Sequence, residues 1–519
     1  MANPLFATKP LSVIMEESKE TGEGSLRRAL GPLNLITLGI GAIIGAGIFV
    51  LTGQAAATSA GPAIVVSFIL SGIICAFAGL CYAEFASLIP ISGSAYTYGY
   101  ATLGEIFAWI IGWDLILEYA FGAATVASGW SGYFVSFIED LGFHINPKWI
   151  TTPGTAMLLY KGHWVAADTV QRSLAAAGVN PASLPHGTGV FDLVAFVAIA
   201  LVTVVLVIGV KESADFNSGI VIVKVAIVLV FIGIAGMFVM HHPTLASANW
   251  HPFIPANTGH FGDYGWSGVA RGAAVIFFAY IGFDAVSTAA QEAKNPQRDM
   301  PIGILGSLVI CTVLYILVSG LLTAVVNFRD LNVADPVAIG IDATGVRWGS
   351  LLVKAGAIAG LGSVMLVMLL GQSRVFYSMS RDGLLPKWAG AIHKRFRTPW
   401  ITSIVVGVCV AFFASLIPIG DLAVLVNIGT LLAFVIVCAG VWVLRRKRPD
   451  LPRPFKTPLV PLIPILGIVT SLAAMLSLPA KTWWRLLIWL AIGLVIYVFY
   501  GRKHSNVRRN AAAREGFVE

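Results

Sequence analysis

Ionisable side chains inside long apolar runs are the residues of this chain that could do chemistry. Such groups are rare in a bilayer, because a charge at its centre costs at least about 2.5 to 3.5 kcal/mol on insertion scales. They are Glu84, Asp114, Glu118, Lys224, Asp284, Arg271 and Lys354. The last two lie near the outer ends of their runs, where a long side chain can simply snorkel to water. The others are candidate functional residues.

Lys224 is the basic group that the sequence buries most deeply. It lies eight residues into the run that begins at Asn217, and more than ten apolar residues follow it. Because burial disfavours the charged form of a lysine, this side chain could exchange a proton in a working cycle. The alternative is a static role, in which Lys224 pairs with Glu118 or with the carbonyls at a helix end.

Asp114 and Glu118 are one helical turn apart, so they share one face of their helix. Two carboxylates at low dielectric tend to keep one proton, which makes either of them a candidate relay. Equally, they could lie near water or pair with basic groups. Glu84, close to the end of its run, is expected to anchor loop structure, and Asp284 to tie a half-helix to its neighbours.

Glycines interrupt the first apolar run, which extends from about 33 to 57. Four of them lie between positions 39 and 47, although each costs a helix interior roughly 1 kcal/mol relative to alanine. Close packing through Gly41 and Gly45 is one explanation. The other is a helix that unwinds at 45–47 and leaves backbone groups free to bind a carboxylate or an ion.

A second interruption, at 277–284, lies five runs later. Paired interruptions in corresponding positions of two halves indicate the binding site of a transporter, so the second one favours unwinding over packing in the first. The aromatic side chains beside it could gate or wall a small pocket. They are Phe277, Phe278, Tyr280 and Phe283.

The composition excludes a water-soluble globular protein. Of the 519 residues, 57% are hydrophobic and only 12% are charged, and the mean hydropathy is +0.83. The five cysteines fall inside apolar runs without CxxC or metal spacing, and no stretch matches a Walker loop or a Rossmann fingerprint in its proper context. We therefore expect a polytopic membrane protein without cofactor, bound metal, nucleic-acid partner or obligatory protein partner.

About twelve apolar windows predict membrane-spanning helices. They extend roughly over 33–57, 62–88, 104–137, 189–209, 216–240, 266–289, 301–326, 348–376, 400–418, 421–444, 459–479 and 483–501. An even number puts both chain ends on one side. Lysine and arginine concentrate in the ends and in the loops on their side, so the positive-inside rule predicts a cytoplasmic N-terminal segment (1–32) and a cytoplasmic tail (502–519).

Two segments on the opposite side carry no recognisable motif. The longer, at about 139–191, is rich in glycine, proline, threonine and alanine, and we expect an extracellular excursion with a little helix. The shorter, at 241–264, has four histidines whose spacing fits no metal motif.

Several passages together resemble the amino acid-polyamine-organocation superfamily, most closely its cationic amino acid transporter branch and the prokaryotic relatives of that branch. The matching passages, in chain order, are 26–31 leading into 39–49, 82–86 with 92–98, 112–119, 211–214, 278–284 with 292–296, and 380–386. Each passage alone is a weak signal. Six in the right order are specific, and the resemblance covers about residues 25–500.

The resemblance implies an all-α, LeuT-like fold. Helices one to five (33–240) and six to ten (266–444) would be inverted repeats, and the last two helices (459–501) would be appended. It also implies the positions of the substrate. The carboxylate would meet amides of Gly45, Ala46 and Gly47. The α-ammonium would meet carbonyls near Ile43, Phe278, Ala279 and Ile281.

The resemblance also assigns a role to Lys224. It matches the lysine that proton-coupled members place where sodium-coupled relatives bind an ion, between spans one, five and eight, and Ser363 of span eight would line the same place. We therefore predict a proton-coupled secondary transporter that imports L-amino acids by alternating access in the cell membrane, with Glu118 or Asp114 next in line for the proton. The alternatives are an exchanger of amino acids or polyamines without net proton flow, a channel or receptor, and an intramembrane enzyme. The sequence leaves open whether the substrates are cationic or neutral.

Overall fold

The computed structural model describes residues 7–10, 30–89, 94–160, 162–167, 174, 179–209, 214–396 and 398–509. Some of the residues named above lie outside this part of the chain. They are most of the segment 1–32, the end of the tail 502–519, 92–93 of the second passage, 211–213 of the fourth, and 161, 168–173 and 175–178 of the excursion.

Helices make up most of the described chain, because a backbone in lipid has to satisfy its hydrogen bonds internally. In chain order they are α1 (Pro32–Ile43), α2 (47–60), α3 (Ile64–Leu88), α4 (Ser94–Thr102), α5 (Glu105–Asp140), α6 (Leu193–Ile208), α7 (Ala214–His241), α8 (Pro243–Asn249), α9 (Gly265–Ile276), α10 (Pro296–Val325), α11 (Pro336–Ala343), α12 (Arg347–Arg381), α13 (Trp400–Leu416), α14 (Ile419–Lys447), α15 (Leu462–Ser477) and α16 (Ala480–Ile496). Shorter 3₁₀ and π segments join them. These are Gly61–Ala63, Pro147–Trp149, Pro181–Ser183, Phe277–Tyr280, Asp284–Glu292, Phe328–Asp330, Lys387–Gly390 and Tyr497–Gly501.

Every predicted apolar window carries helix. Within the described residues, eight helical stretches are long and apolar enough to cross a membrane, and four shorter apolar helices accompany them: α1, α6, α13 and α15. One of the eight stretches, Gly47–Leu88, joins α2 and α3 through Gly61, whose φ of +63° favours glycine. The molecule is therefore an all-α polytopic membrane protein.

The helices differ in how deeply they are enclosed. α5, α9 and α14 are largely buried inside the bundle, whereas α7 and α16 expose most of their apolar surface to the bilayer. The most extensive helix pairs are α5 with α12, α3 with α10, and α5 with α14. A scaffold of long, continuous helices thus surrounds the two interrupted ones.

The excursion after α5 contains the predicted little helix, in the 3₁₀ segments Pro147–Trp149 and Pro181–Ser183, and also a small sheet that was not predicted. Its antiparallel strands are β1 (Ala156–Tyr160), β2 (His163–Ala166) and β3 (His186–Thr188), in the order β2-β1-β3. The strands are too short to show a clear apolar alternation in the sequence. Met157 packs with Val135 and Ile150 in a cluster separate from the main core, which explains why this hairpin has its own structure.

Candidate substrate and coupling site

Both predicted interruptions are present. α1 ends at Ile43, and Ile44 adopts an extended conformation (φ −73°, ψ 99°) before helical turns resume at Gly47. α9 ends at Ile276, and after a 3₁₀ turn the chain breaks at Ile281 and Gly282. The first break is one residue earlier than predicted, since it is centred on Ile44 and Gly45 and Gly47 is already helical.

The two breaks face each other through glycines. A Cβ on Gly47 would overlap the Cα of Ala279, and a Cβ on Gly282 would lie 2.8 Å from the carbonyl carbon and oxygen of Ala42. Gly282 also has a φ of +122°, which favours glycine. Packing and unwinding are therefore not alternatives in this chain. Gly282 provides both the conformation of the second break and its close contact with α1, whereas Gly47 provides the close contact of the first break with Ala279.

Gly45 has a different environment. A Cβ at this position would lie 3.3 Å from the two methyl groups of Val364 in α12, and its three nearest atoms would all belong to that side chain. The first amides of a helix have no partner within that helix, and Gly45, Ala46 and Gly47 stand at the start of α2. This is the arrangement in which backbone N–H groups can bind an anion.

The carbonyls assigned to the α-ammonium lie on both breaks, and one side chain connects them. The hydroxyl of Tyr315, in α10, lies 2.8 Å from the carbonyl oxygen of Ile43 and 2.7 Å from that of Ala279. The carbonyl of Phe278 accepts a hydrogen bond from the amide of Ile281 at 3.2 Å. The structure therefore brings these four residues together around one point between α1 and α9.

Lys224 reaches the end of α1 from α7. Its Nζ donates to the carbonyl oxygen of Gly41 at 2.9 Å and lies 3.4 Å from that of Ile44. The side chain is wholly buried and passes beside α12, where a Cβ on Gly360 would lie 3.3 Å from its Cγ. A cation is favourable at this place, because the last carbonyls of a helix carry partial negative charge.

Ser363 and Glu118 form hydrogen bonds with partners other than Lys224. The hydroxyl of Ser363 donates to the carbonyl of Gly360 in its own helix at 2.9 Å. Glu118 accepts from Thr430 of α14 at 2.8 Å, and among the described residues neither Glu118 nor any other carboxylate forms an ion pair with Lys224. The interpretation of Lys224 as a partner of Glu118 was therefore wrong, and its partners are helix-end carbonyls.

Two further buried carboxyls lie in this core. Asp114 is wholly buried, and neither of its carboxylate oxygens has a hydrogen-bond partner within the described chain. Asp284 accepts from the amide of Gly282 at 3.2 Å, so it stabilises the second break itself and does not tie the half-helix to a neighbour as predicted.

Asn427 is a polar residue that the sequence analysis missed. Its side-chain amide donates to the carbonyls of Ala274 at 2.9 Å and Val275 at 2.7 Å, close to the end of α9. Tyr315 was missed as well. The survey of the apolar runs considered ionisable groups only, and neutral hydrogen-bonding side chains in the same runs were the signal that would have found both residues.

The aromatic residues of the second break pack with two further rings. Phe434 lies with its ring centroid 5.3 Å from that of Phe277 and 5.2 Å from that of Phe283. Tyr82 contacts Phe283 and Phe434 at 5.7 and 5.6 Å. These rings form a wall between the break and the helices α3 and α14.

Ion pairs join elements at both ends of the bundle. Arg445 binds Glu84 through two hydrogen bonds of 3.0 and 2.7 Å, and the amide of Thr457 donates to the same carboxylate, which confirms that Glu84 anchors a loop. At the other end, the prediction that Lys354 snorkels was wrong. Its buried Nζ pairs with Asp140 at 2.5 Å and with Asp342 at 2.9 Å.

The excursion is attached to the same outer network. His163 of β2 lies 3.1 Å from Glu139 through Nδ1 and 3.4 Å from Asp140 through Nε2. The hydrogen bond with Glu139 raises the pKa of His163 above its ordinary value, although burial and Lys354 oppose this. One titratable ring therefore fastens the sheet to the end of α5.

Described residues near both chain ends contact the opposite face. Lys9 pairs with Asp382 at 2.9 Å, and Tyr96 donates to the same carboxylate at 2.7 Å. The buried carboxylate of Glu105, at the start of α5, accepts from Arg508 at 2.8 Å. The remaining donors to Glu105 are Tyr100, Tyr497 and Ser505.

A helical membrane bundle with two facing, interrupted helices whose free carbonyls are held by buried polar side chains is the architecture of a membrane transporter. Comparison with known proteins gives the family. The model of the amino acid permease family matches residues 30–499, and the chain belongs to this family. The match confirms the resemblance found in the sequence.

Three relatives illustrate the range of the family. The branched-chain amino acid permease BcaP of Bacillus subtilis is 46% identical over 510 residues, which cover 98% of this chain and 100% of that protein. The methylthioribose transporter of the same species is 44% identical over 505 residues (97% and 99%). The vacuolar cationic amino acid transporter 4 of Arabidopsis thaliana is 30% identical over 605 residues (94% and 94%). All three are permeases or transporters, so the chain is a transporter and not an enzyme.

Proposed function

We propose that this protein is a proton-coupled permease that imports L-amino acids across the cell membrane by alternating access. Family membership supports amino acid transport. The observation that carries the finer proposal is the contact of Lys224 with the end of α1, because it joins a titratable group to the interrupted helix. The coupling ion is a proton, and no other cofactor is required.

The proposed architecture is LeuT-like, with twelve membrane crossings. α1 and α2 form the first broken span, α9 and the segment 277–292 form the sixth, and α15 and α16 follow the two inverted repeats. Both chain ends are cytoplasmic in this arrangement. Accessibility of a tag after Glu519 from outside intact cells would refute the orientation.

The proposed substrate contacts follow from the two breaks. Amides of Gly45, Ala46 and Gly47 bind the carboxylate, and carbonyls at Ile43, Phe278, Ala279 and Ile281 bind the α-ammonium. Backbone groups recognise what all amino acids share. They leave the choice of side chain to the residues that surround the breaks.

An apolar substrate side chain is favoured over a cationic one. Val364 lies against Gly45, Val221 contacts the position of Gly41, and aromatic rings line the second break. The B. subtilis branched-chain amino acid permease supports the same choice. The methylthioribose transporter suggests a second candidate, since its printed substrate differs from an amino acid and its identity to this chain is nearly as high.

Lys224 is proposed to couple the proton to the conformational cycle. In its protonated form it stabilises the end of α1 through Gly41 and Ile44, and this favours the substrate-ready state. Loss of the proton to the cytoplasm removes the charge and loosens the same contacts. Coupling requires this difference between the two conformational states. A group whose interactions are equally favourable in both states does not shift the equilibrium between them.

Competition uptake in proteoliposomes tests the proposal. Radiolabelled L-leucine would be competed by branched-chain, aromatic and cationic amino acids and by methylthioribose, with and without an imposed pH gradient. We expect competition by apolar L-amino acids and stimulation by an inwardly directed proton gradient. Uptake that methylthioribose alone abolishes would favour the second candidate. Exchange that is indifferent to the gradient would favour an uncoupled exchanger.

A further inference from the structure

Tyr315 is placed to act on both breaks although it belongs to neither. It lies in α10, a continuous helix, and its side chain is wholly buried. Its hydroxyl oxygen is within hydrogen-bond distance of Ile43 on the first interrupted helix and of Ala279 on the second. These two carbonyls belong to different broken helices, so one phenol connects them.

A phenol has a single proton, which decides what this arrangement can bind. Tyr315 can donate a full hydrogen bond to one of the two carbonyls at a time, yet both oxygens lie less than 3 Å from its own oxygen. Three oxygens therefore converge with one hydrogen among them. Such a group is rich in acceptors and suits a cationic N–H donor, because hydrogen bonds from an ionised donor are about twice as strong as neutral ones.

The position of this oxygen is fixed by aromatic packing. The Tyr315 ring lies 5.3 Å from the ring of Phe68 and 5.4 Å from that of Tyr280. Tyr280 in turn donates from its hydroxyl to the carbonyl of Phe68 at 2.8 Å. The rings belong to the uninterrupted helices α3 and α10 and to the second break. The scaffold therefore sets the separation between the two carbonyls through Tyr315.

We propose that Tyr315 is a positioning residue for the α-ammonium of the substrate, and that its hydroxyl makes the site select ligands with a primary ammonium over neutral analogues. This inference rests on the proposed function, since it takes the carbonyls of Ile43 and Ala279 as the ammonium site. Without the hydroxyl, the two carbonyl oxygens keep their partial negative charge but lose the group that holds them at a fixed separation.

The test compares wild type with Tyr315→Phe, which keeps the ring and removes only the hydroxyl. Three probes compete with radiolabelled L-leucine for the purified full-length protein: L-leucine itself, 2-hydroxy-4-methylpentanoate, which lacks the ammonium, and 3-methylbutylamine, which lacks the carboxylate. We expect Tyr315→Phe to weaken L-leucine and the amine by about tenfold, the order of one hydrogen bond to a charged group, and to leave the hydroxy acid unchanged.

The ratio of the affinity for L-leucine to the affinity for the hydroxy acid does not depend on how much of the protein folds. Partial loss of folding therefore does not obscure the result. Tyr133→Phe is the matched control, since its buried hydroxyl donates to the carbonyl of Phe49 at 2.6 Å, away from the ammonium site. The control should leave the ratio unchanged. An equal loss for all three probes, an unchanged ratio, or the same change in Tyr133→Phe would overturn the inference. Failure of wild type to bind L-leucine would instead contradict the proposed apolar substrate.

Discussion

The two breaks hold their free carbonyls in chemically different ways. At the first break, the amine of Lys224 binds Gly41 and lies close to Ile44. At the second, the carbonyls before the break accept from the amide of Asn427. Lys224 is a basic side chain, whereas the amide of Asn427 is a neutral donor, and the carboxyl of Asp284 also contacts the second break. The comparison therefore separates helix-end carbonyls that an amine binds from helix-end carbonyls that an amide binds.

This difference suggests a division of labour. In the proposed cycle, the contacts that Asn427 and Tyr315 make with the second break stay unchanged, because an amide and a phenol keep their hydrogen bonds at any physiological pH. Gain or loss of one proton at Lys224 would tighten or loosen the first break. Tyr315 contacts both breaks from α10, because its hydroxyl lies within hydrogen-bond distance of one carbonyl on each.

The largest effect should come from Gly47→Val, which forces a side chain into the backbone of Ala279. We expect loss of substrate binding and a destabilisation at or above the roughly 1 to 3 kcal/mol typical of overpacking, seen as a lower melting temperature in detergent. Gly45→Ala is the matched variant, since its methyl group meets only Val364. It should fold normally and weaken L-leucine binding about tenfold. A well-folded Gly47→Val protein with normal affinity would show that the breaks do not meet.

Lys224→Met tests the first break directly, because methionine keeps the length of the side chain and removes the titrating group. A one-unit pH gradient, worth about 1.4 kcal/mol per proton, should drive about tenfold accumulation by wild type. We expect the variant to accumulate no more substrate than it does without the gradient, while it keeps exchange or binding. If uptake by the variant depends on the gradient as strongly as uptake by wild type, Lys224 is not the proton-coupling residue. Glu118 and Asp114 would then become the next candidates.

Asn427→Leu is the corresponding change at the second break. Two buried carbonyls lose their donor, which should destabilise the protein by about 1 to 3 kcal/mol and slow uptake. The factor by which a pH gradient stimulates the remaining uptake should not change. If Asn427→Leu removes the response to the gradient as Lys224→Met does, then the contrast between the two breaks is wrong.

His163→Gln should have the smallest effect and separates stability from coupling. Because the pKa of His163 is raised in the folded protein, protonated His163 stabilises the fold. This stabilisation is fully present below the ordinary histidine pKa and is lost as pH rises through the higher pKa of the folded protein. We expect wild type to have a higher melting temperature than the variant at pH 5.5 and the same melting temperature at pH 8.5. The stability difference at pH 5.5 should be well under about 1 kcal/mol, because the ring is partly exposed. Gradient-driven uptake should be the same in both. A stability difference that does not vary with pH would exclude a charged His163.

The helices and their breaks could be predicted from the sequence for clear physical reasons. Long apolar runs have few other structures open to them in lipid, and glycines within them are costly enough to demand an explanation. The interruptions at 45–47 and 277–284 were predicted in this way, and the structure has them at Ile44 and Gly45 and at Ile281 and Gly282. Lys224 was identified because its run leaves it no route to water.

The partners of these groups could not be predicted in the same way. Tyr315 and Asn427 lie in runs that read as ordinary spans, and nothing in their neighbours indicates which distant carbonyl each will meet. Lys354 looked free to reach water because its acidic partners lie in separate elements, Asp140 at the end of α5 and Asp342 in α11. Pairing across long separations follows from how helices pack, which local periodicity does not contain.

The polypeptide is fastened to one face of its own bundle at both ends. Lys9 is joined to Asp382 at the end of α12, and Arg508 to Glu105 at the start of α5. These two segments thus contact a pair of helices that pack extensively against each other. Any motion that separates α5 from α12 on this face has to break these contacts or carry the two segments along, so residues outside every span constrain how the two helices can move.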